Sequence, residues 1–463
     1  MNAGLRWEWM APYHNQHDMA NSYREGQQST VVPNAPRGMV FPGDPALKGL
    51  GNRFIPSDKN NIVPRLGFAW DVTGDGKWAV KASYGLFFEN YPAGLWTYAA
   101  SNQPFVILVD INGPHSLSDP YRGQNNPFPY TYAPNNAKFY KPMGLFTILR
   151  PDVTAPYIHQ LSGSVERALP GGIVVNAGYS GKLSHNLVRM NEVNPAIYIP
   201  GGSTIANTHS RRRLAADGYG SFRTIQTTSN ATYHSAQFSM NKRVTHGLTV
   251  NTAYTFSKFL DYFAGNNIGT PSQNPFDMRA DRGRSDYDRR HNFNMSMVYQ
   301  VPEFSKQWLA RKAIGGWQVS SLTSIVSGAP INVTTGVDAS LTGNGQDRPD
   351  LVGVAQRQFS SRADTIQQYF NAAAFVPNQP GRYGNLGRNA LSGVTRLNTD
   401  IALAKSFSIG DRFGAVQFRA EAYNALNQVS LNNPVSARNN QNFGRIQGAG
   451  DPRILQVALR YSF

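Results

Sequence analysis

The feature that most constrains this chain is a period-two alternation of apolar and polar residues, repeated in segment after segment, with almost no helical periodicity. Near the start, Leu5, Trp7 and Trp9 fall on one face and Gly4, Arg6 and Glu8 on the other. Leu66, Phe68 and Trp70 alternate with Arg65, Gly67, Ala69 and Asp71 before the turn Thr73-Gly74-Asp75-Gly76, and Trp78, Val80, Ala82, Tyr84 and Leu86 alternate after it. Such a pair around a Gly/Asp turn predicts a β-hairpin. Further hairpins are expected across Leu169-Pro170-Gly171-Gly172, near Thr245-His246-Gly247, from Phe293–Tyr299 to Trp317 through a longer link, and across Gly410-Asp411-Arg412. A lone strand closes the chain, with Leu455, Val457, Leu459, Tyr461 and Phe463 on one face.

The connections carry the second constraint. Those inside hairpins are mostly a few residues; those between hairpins run from about 25 to about 70 and are rich in Asn, Gly, Pro and Ser. Strict alternation of short and long places all short turns at one end of the sheet and all long loops at the other. That is the pattern of an antiparallel transmembrane β-barrel with short periplasmic turns and long extracellular loops, and it predicts roughly 12 strands. With the short turns periplasmic, the last strand runs inward and the carboxyl terminus lies in the periplasm.

The two faces fit lipid on one side and water on the other. The polar faces are mostly Ser, Thr, Asn, Gln and Gly, as a wet lumen requires, whereas a soluble sandwich would show charged outer faces. Trp70, Trp78, Tyr179, Tyr254, Tyr299 and Tyr461 mark the ends of the apolar faces, as interfacial girdles do. A propeller would repeat every 40–50 residues or so with a blade signature, and no such signature recurs. Charged residues are 16% and aromatics 12% of the chain, too few and too many respectively for disorder. No apolar run approaches the 18 or so residues of a membrane helix, and the amino terminus lacks the basic region and apolar core of a secretory signal.

Specific stretches resemble the Oar-like TonB-dependent receptors of bacterial outer membranes. They are Asn61-Ile62-Val63-Pro64-Arg65-Leu66-Gly67-Phe68-Ala69-Trp70-Asp71 with Ala82-Ser83-Tyr84-Gly85-Leu86-Phe87-Phe88, then Tyr254-Thr255-Phe256-Ser257-Lys258, and then Asp286-Tyr287-Asp288-Arg289-Arg290-His291. Gly316-Trp317-Gln318-Val319-Ser320, Phe418-Arg419-Ala420-Glu421-Ala422-Tyr423-Asn424-Ala425-Leu426-Asn427, Phe443-Gly444-Arg445-Ile446 and Gly450-Asp451-Pro452-Arg453 follow in order. The resemblance covers nearly all of residues 1–463 and corresponds to the carboxyl-terminal portion of that family's barrel. It implies a wider ring of about 22 strands, with plug, signal, TonB-contacting segment and regulatory-like domain expected upstream of this sequence. It also implies the outer membrane, with its lipid and lipopolysaccharide, as location, binding and import of a bulky solute such as an oligosaccharide, and TonB coupling only through those upstream parts. The alternative is a passive pore or surface adhesion barrel without energy coupling.

Candidate site residues are of two kinds. Leu459, Tyr461 and Phe463 resemble the terminal signal read by the barrel-assembly machinery, which pairs with a strand edge. Arg282, Arg284, Asp286, Asp288, Arg289 and Arg290 concentrate both signs of charge at the outer mouth, where they either contact solute or satisfy one another. Arg419 and Glu421 share a polar face and are expected in the lumen. Arg211-Arg212-Arg213 is a further basic run in an outer loop, suited to acidic lipid headgroups or anionic glycan. Asn344–Asp350 lacks the order of an EF-hand loop and is expected to be a polar turn.

The net charge of +16 fits an anionic surface, but no stacking platform for nucleic acid accompanies it. The chain has no Cys, and no His-Glu-x-x-His, phosphate-loop or Gly-x-Ser-x-Gly motif. No enzyme activity, metal or cofactor is expected.

Overall fold

The computed structural model describes residues 1–109, 116–123, 125–245, 247–262, 272–302, 315–410 and 414–463. Twelve strands among them follow one another in chain order across a single antiparallel sheet. They are β1 (Asn2–Met10), β2 (Asp58–Asp71), β3 (Trp78–Phe88), β4 (Tyr157–Leu169), β5 (Ile173–Glu192), β6 (Tyr219–Thr245), β7 (Leu248–Asp261), β8 (His291–Gln300), β9 (Trp317–Val326), β10 (Arg396–Gly410), β11 (Gly414–Tyr423) and β12 (Ile454–Ser462). Connections of a few residues join β2 to β3, β4 to β5, β6 to β7 and β10 to β11, a longer link joins β8 to β9, and the longest join the rest. The β2–β3 turn is held by Asp71, whose carboxylate accepts from the Gly74 and Gly76 amides at 3.0 and 2.9 Å. Both glycines sit at positive φ, where a side chain would be strained. His246, Asp411 and Arg412 of the expected turns lie outside the described residues.

Register carries the alternation across the whole sheet. Trp7 pairs with Ile62, Leu66 with Tyr84, Val80 with Val165, Ala177 with Phe238, Tyr254 with Phe293, and Phe418 with Leu459. A one-residue slip anywhere would turn a strand's apolar set to the other side. The apolar face is exposed, at Trp7, Phe68, Trp70, Phe238, Ile401 and Leu459 among others. An exposed apolar surface of that extent marks a membrane-facing or partner-facing side. On the opposite face Ser83 and Ser162 share a hydrogen bond of 2.7 Å, Lys81 pairs with Glu166 at 3.2 Å, and Asn251 donates to Ser296 at 3.4 Å. The sheet is open: among the described residues β1 pairs only with β2 and β12 only with β11. Every residue of β12 is exposed.

The buried core lies outside this wall. The long connections, rich in Asn, Gly, Pro and Ser, pack into an outer layer around three apolar clusters. One includes Phe54, Ile55, Leu95, Trp96, Met190 and Ile225; a second includes Phe41, Met143, Leu145, Tyr219 and Phe222; the third includes Ile331, Val333, Phe370, Phe375 and Leu391. Each such side chain contributes about 1.5–3 kcal/mol on burial. β5 and β6 span 20 and 27 residues, against the roughly 9–11 that cross a bilayer, so they project beyond it and form the layer's floor. A further strand, Met143–Ile148, pairs parallel to the start of β6. Covered on both faces there, β5 and β6 no longer set lipid against water, and buried polar side chains such as Arg189 and Glu192 stand beside the apolar ones.

Candidate lumen wall and outer-mouth charge knot

Asp288 is the centre of the charged stretch expected at the mouth. It is fully buried. One carboxylate oxygen accepts from the Phe259 amide at 2.8 Å, and the other from Arg284 Nε at 2.8 Å. Arg290 approaches the same oxygen at 4.0 Å, and Arg289 donates to the carbonyls of Asp286 and Asp288 at 2.9 Å each. Burial, then the nearby Arg396, pushes the Arg289 guanidinium below its ordinary value. Asp286 accepts from Asn389 at 2.6 Å and lies 3.8 Å from Arg388. The residues from Arg284 to Arg290 therefore form one knot. Arg282 stands apart, exposed, with its guanidinium 5.8 Å from the Tyr262 ring.

The knot is closed by two arginines that sequence reasoning missed as partners. Arg388 is buried and donates to the Asp261 carboxylate, to the Asp261 carbonyl at 2.9 Å and to the Asp281 carbonyl at 2.9 Å. Burial raises the Asp261 carboxyl above its usual range, against the pull of Arg388. Arg348 pairs with Asp281 at 2.7 Å and donates to the Leu386 carbonyl at 2.7 Å. Gly283 permits this closeness, since a Cβ there would strike the Arg388 carbonyl. No local signal marks Arg388: its acidic partners lie 127 and 107 positions away. Arg348 lies in the expected polar turn, which is instead locked into the layer. Beside it, burial pushes the Asp347 carboxyl up to about 6, and one of its oxygens has no partner.

Arg419 and Glu421 form a separate pair on the polar face of β11. Arg419 Nε lies 2.7 Å from Glu421, and the Tyr423 hydroxyl donates to the other oxygen at 3.3 Å. The expectation that the basic run meets lipid is corrected at two of its three members. Arg211 is buried and donates to the Ile197 and Leu341 carbonyls at 2.6 and 2.8 Å. Arg212 is buried against Glu192 at 3.5 Å. Loop carbonyls and one carboxylate hold these two cations inside the layer, while Arg213 stays exposed, paired with Glu25 at 2.6 Å. Leu459 and Tyr461 lie on the exposed edge strand, and Phe463 follows it, fully exposed. Among the described residues no group of three His, Asp or Glu side chains could hold a metal ion.

A one-sided apolar sheet of antiparallel strands, with short turns at one end and a folded layer at the other, defines the wall of an outer-membrane β-barrel. The family model described as "Outer membrane beta barrel domain" matches residues 1–456, and the chain belongs to that family. Its place is the cell outer membrane. No curated protein matches the chain. Among solved structures it is similar to the outer membrane transporter YddB from Escherichia coli, at 10% identity and a TM-score of 0.49, over 88% of this chain and 41% of that one. It is also similar to the FrpB iron transporter from Neisseria meningitidis, at 12% identity and a TM-score of 0.42, over 88% and 40%. The ferripyoverdine receptor of Pseudomonas aeruginosa aligns at 11% identity and a TM-score of 0.41, over 88% and 34%. The chain thus spans well under half the length of these proteins.

Proposed function

We propose that this chain is wall and outer-loop structure of a TonB-dependent receptor that binds a bulky solute, such as an oligosaccharide, and passes it across the outer membrane. What carries the reading is the pairing of a polar inner face, continuous in register over twelve strands, with a rigid outer layer built from the long loops. The ordered motifs that resemble the Oar-like receptors support it. Solute is captured by the outer layer and meets Ser, Asn and Gln side chains in the lumen. The mouth knot holds the loops in place, since its charges are spent on one another. The barrel-assembly machinery takes β12 with Leu459, Tyr461 and Phe463 as its partner strand. No catalytic step enters the reading.

Detergent-solubilised chain applied to an array of neutral oligosaccharides tests it. Retention of glycans of several sugar units, without retention of monosaccharides, is the expected result. Absence of retention, together with free swelling of proteoliposomes in raffinose, would replace the receptor with a passive pore.

A further inference from the structure

Three cross-strand pairs on the apolar face repeat one arrangement. The Tyr84 hydroxyl lies 2.8 Å from Nδ1 of His159, that of Tyr179 lies 2.6 Å from Nδ1 of His234, and that of Tyr254 lies 2.8 Å from Nδ1 of His291. The rings are nearly parallel, at 28°, 28° and 23°. In each pair the tyrosine stands opposite the residue two places after the histidine: Leu161, Ala236 and Phe293. A phenol among apolar neighbours has one proton to place, and Nδ1 is the acceptor beside it. With the phenol as donor, the imidazole carries its proton on Nε2, on the side away from the phenol.

The pairs also lie level with one another. His234 shares a register row with Gly181 and Leu161, so His159 is two residues farther toward the long loops. His291 shares a row with Phe256 and Ala236, two residues closer to the short turns than His234. Each step of two strands thus slides the histidine by two residues. At about 3.3 Å per residue and about 4.8 Å per strand, that slope is about 35°, the tilt of a barrel strand. A line through the three histidines therefore runs parallel to the membrane plane. His159 is opposite Leu86, and Trp78 marks the short-turn end of that strand. The height between them is about 20 Å at that tilt, near the roughly 25 Å of the apolar band. The row sits at the outer edge of the hydrocarbon. A cation accompanies it: exposed Lys258 stands opposite His234.

The geometry points to a phosphate-binding belt: the Nε2–H groups of His159, His234 and His291, with Lys258, take phosphate groups of the anionic glycolipid of the outer leaflet. This rests on the wall lying in the outer membrane and not on the proposed solute.

The full chain in detergent, offered diphosphoryl lipid A or its dephosphorylated form, tests the belt. The wild type is expected to retain the diphosphoryl lipid at least about tenfold better. The triple variant His159→Phe, His234→Phe, His291→Phe, which keeps the rings, is expected to hold both lipids equally weakly while still inserting into phosphatidylcholine vesicles. If that variant does not insert, nitrogen NMR of the wild type decides. Protonated Nε2 in all three rings, with resonances shifted by diphosphoryl lipid A alone, supports the belt. Equal retention of the two lipids by the wild type, or undiminished discrimination by an inserted triple variant, overturns it and reduces the row to an apolar anchor. Wild type that fails to enter plain phosphatidylcholine vesicles would overturn the wall itself.

Discussion

Asp261 and Arg388 illustrate how a charge is kept far from solvent in the outer layer. Removing one partner strands the other, which costs about 3–5 kcal/mol for a buried pair. Arg388→Ala is therefore expected to loosen the mouth, read as faster hydrogen exchange at 281–290, with the wall amides of β4 unchanged. Gly283→Ala is expected to act on the same knot by steric means, at about 1–3 kcal/mol, because the Arg388 carbonyl occupies the place of the new methyl. Asp347 gives a signed pH effect. Its carboxyl is pushed up to about 6 by burial, above the ordinary 3.8, so the fold favours the protonated form. Stability at this loop is greatest below about pH 4 and falls as pH rises toward about 6, then levels off. Protection factors of amides 335–348 should follow that course, and Asp347→Asn should flatten it.

At the scale of elements, a strand was legible wherever one face meets lipid and the other water. β2, β3, β4, β11 and β12 alternate over most of their length, and the short turns announce themselves with Gly and Asp. Legibility failed where a third layer covers the sheet. The outer halves of β5 and β6 carry Met190, Ile225 and Phe222 inward to apolar clusters and Arg189 and Glu192 to a buried polar side, and the two faces no longer set lipid against water. The same cause hid the site. Arg211 and Arg212 look like a surface run, yet carbonyls from distant loops surround them, and Arg388 meets its partners only through the fold. The outer layer has its own energetics: Phe370→Ala removes a fully buried ring from the third cluster at a cost of about 3–5 kcal/mol. Proteolysis between 327 and 395 should accelerate, while heat-modifiable migration of the wall persists.

For the whole molecule, the twelve strands among the described residues leave two bare edges, and hydrocarbon does not tolerate unpaired N–H and C=O groups. β1 and β12 must therefore find partners in the membrane, in each other or in further strands. The terminal residues of β12 are the ones an assembly partner would meet, so deleting Phe463 is expected to lower the fraction of chain inserted in the outer membrane several-fold, measured by fractionation. The absence of native Cys makes the central claim directly measurable. Single cysteines placed in turn from 174 to 180 on β5, in membrane-inserted protein, are to be tested with a water-soluble maleimide and with a bilayer-embedded quencher of an attached fluorophore. The account predicts maleimide labelling at 174, 176, 178 and 180, quenching at 175, 177 and 179, and no position strong in both. Uniform labelling along the strand, or quenching without the two-residue period, would contradict it.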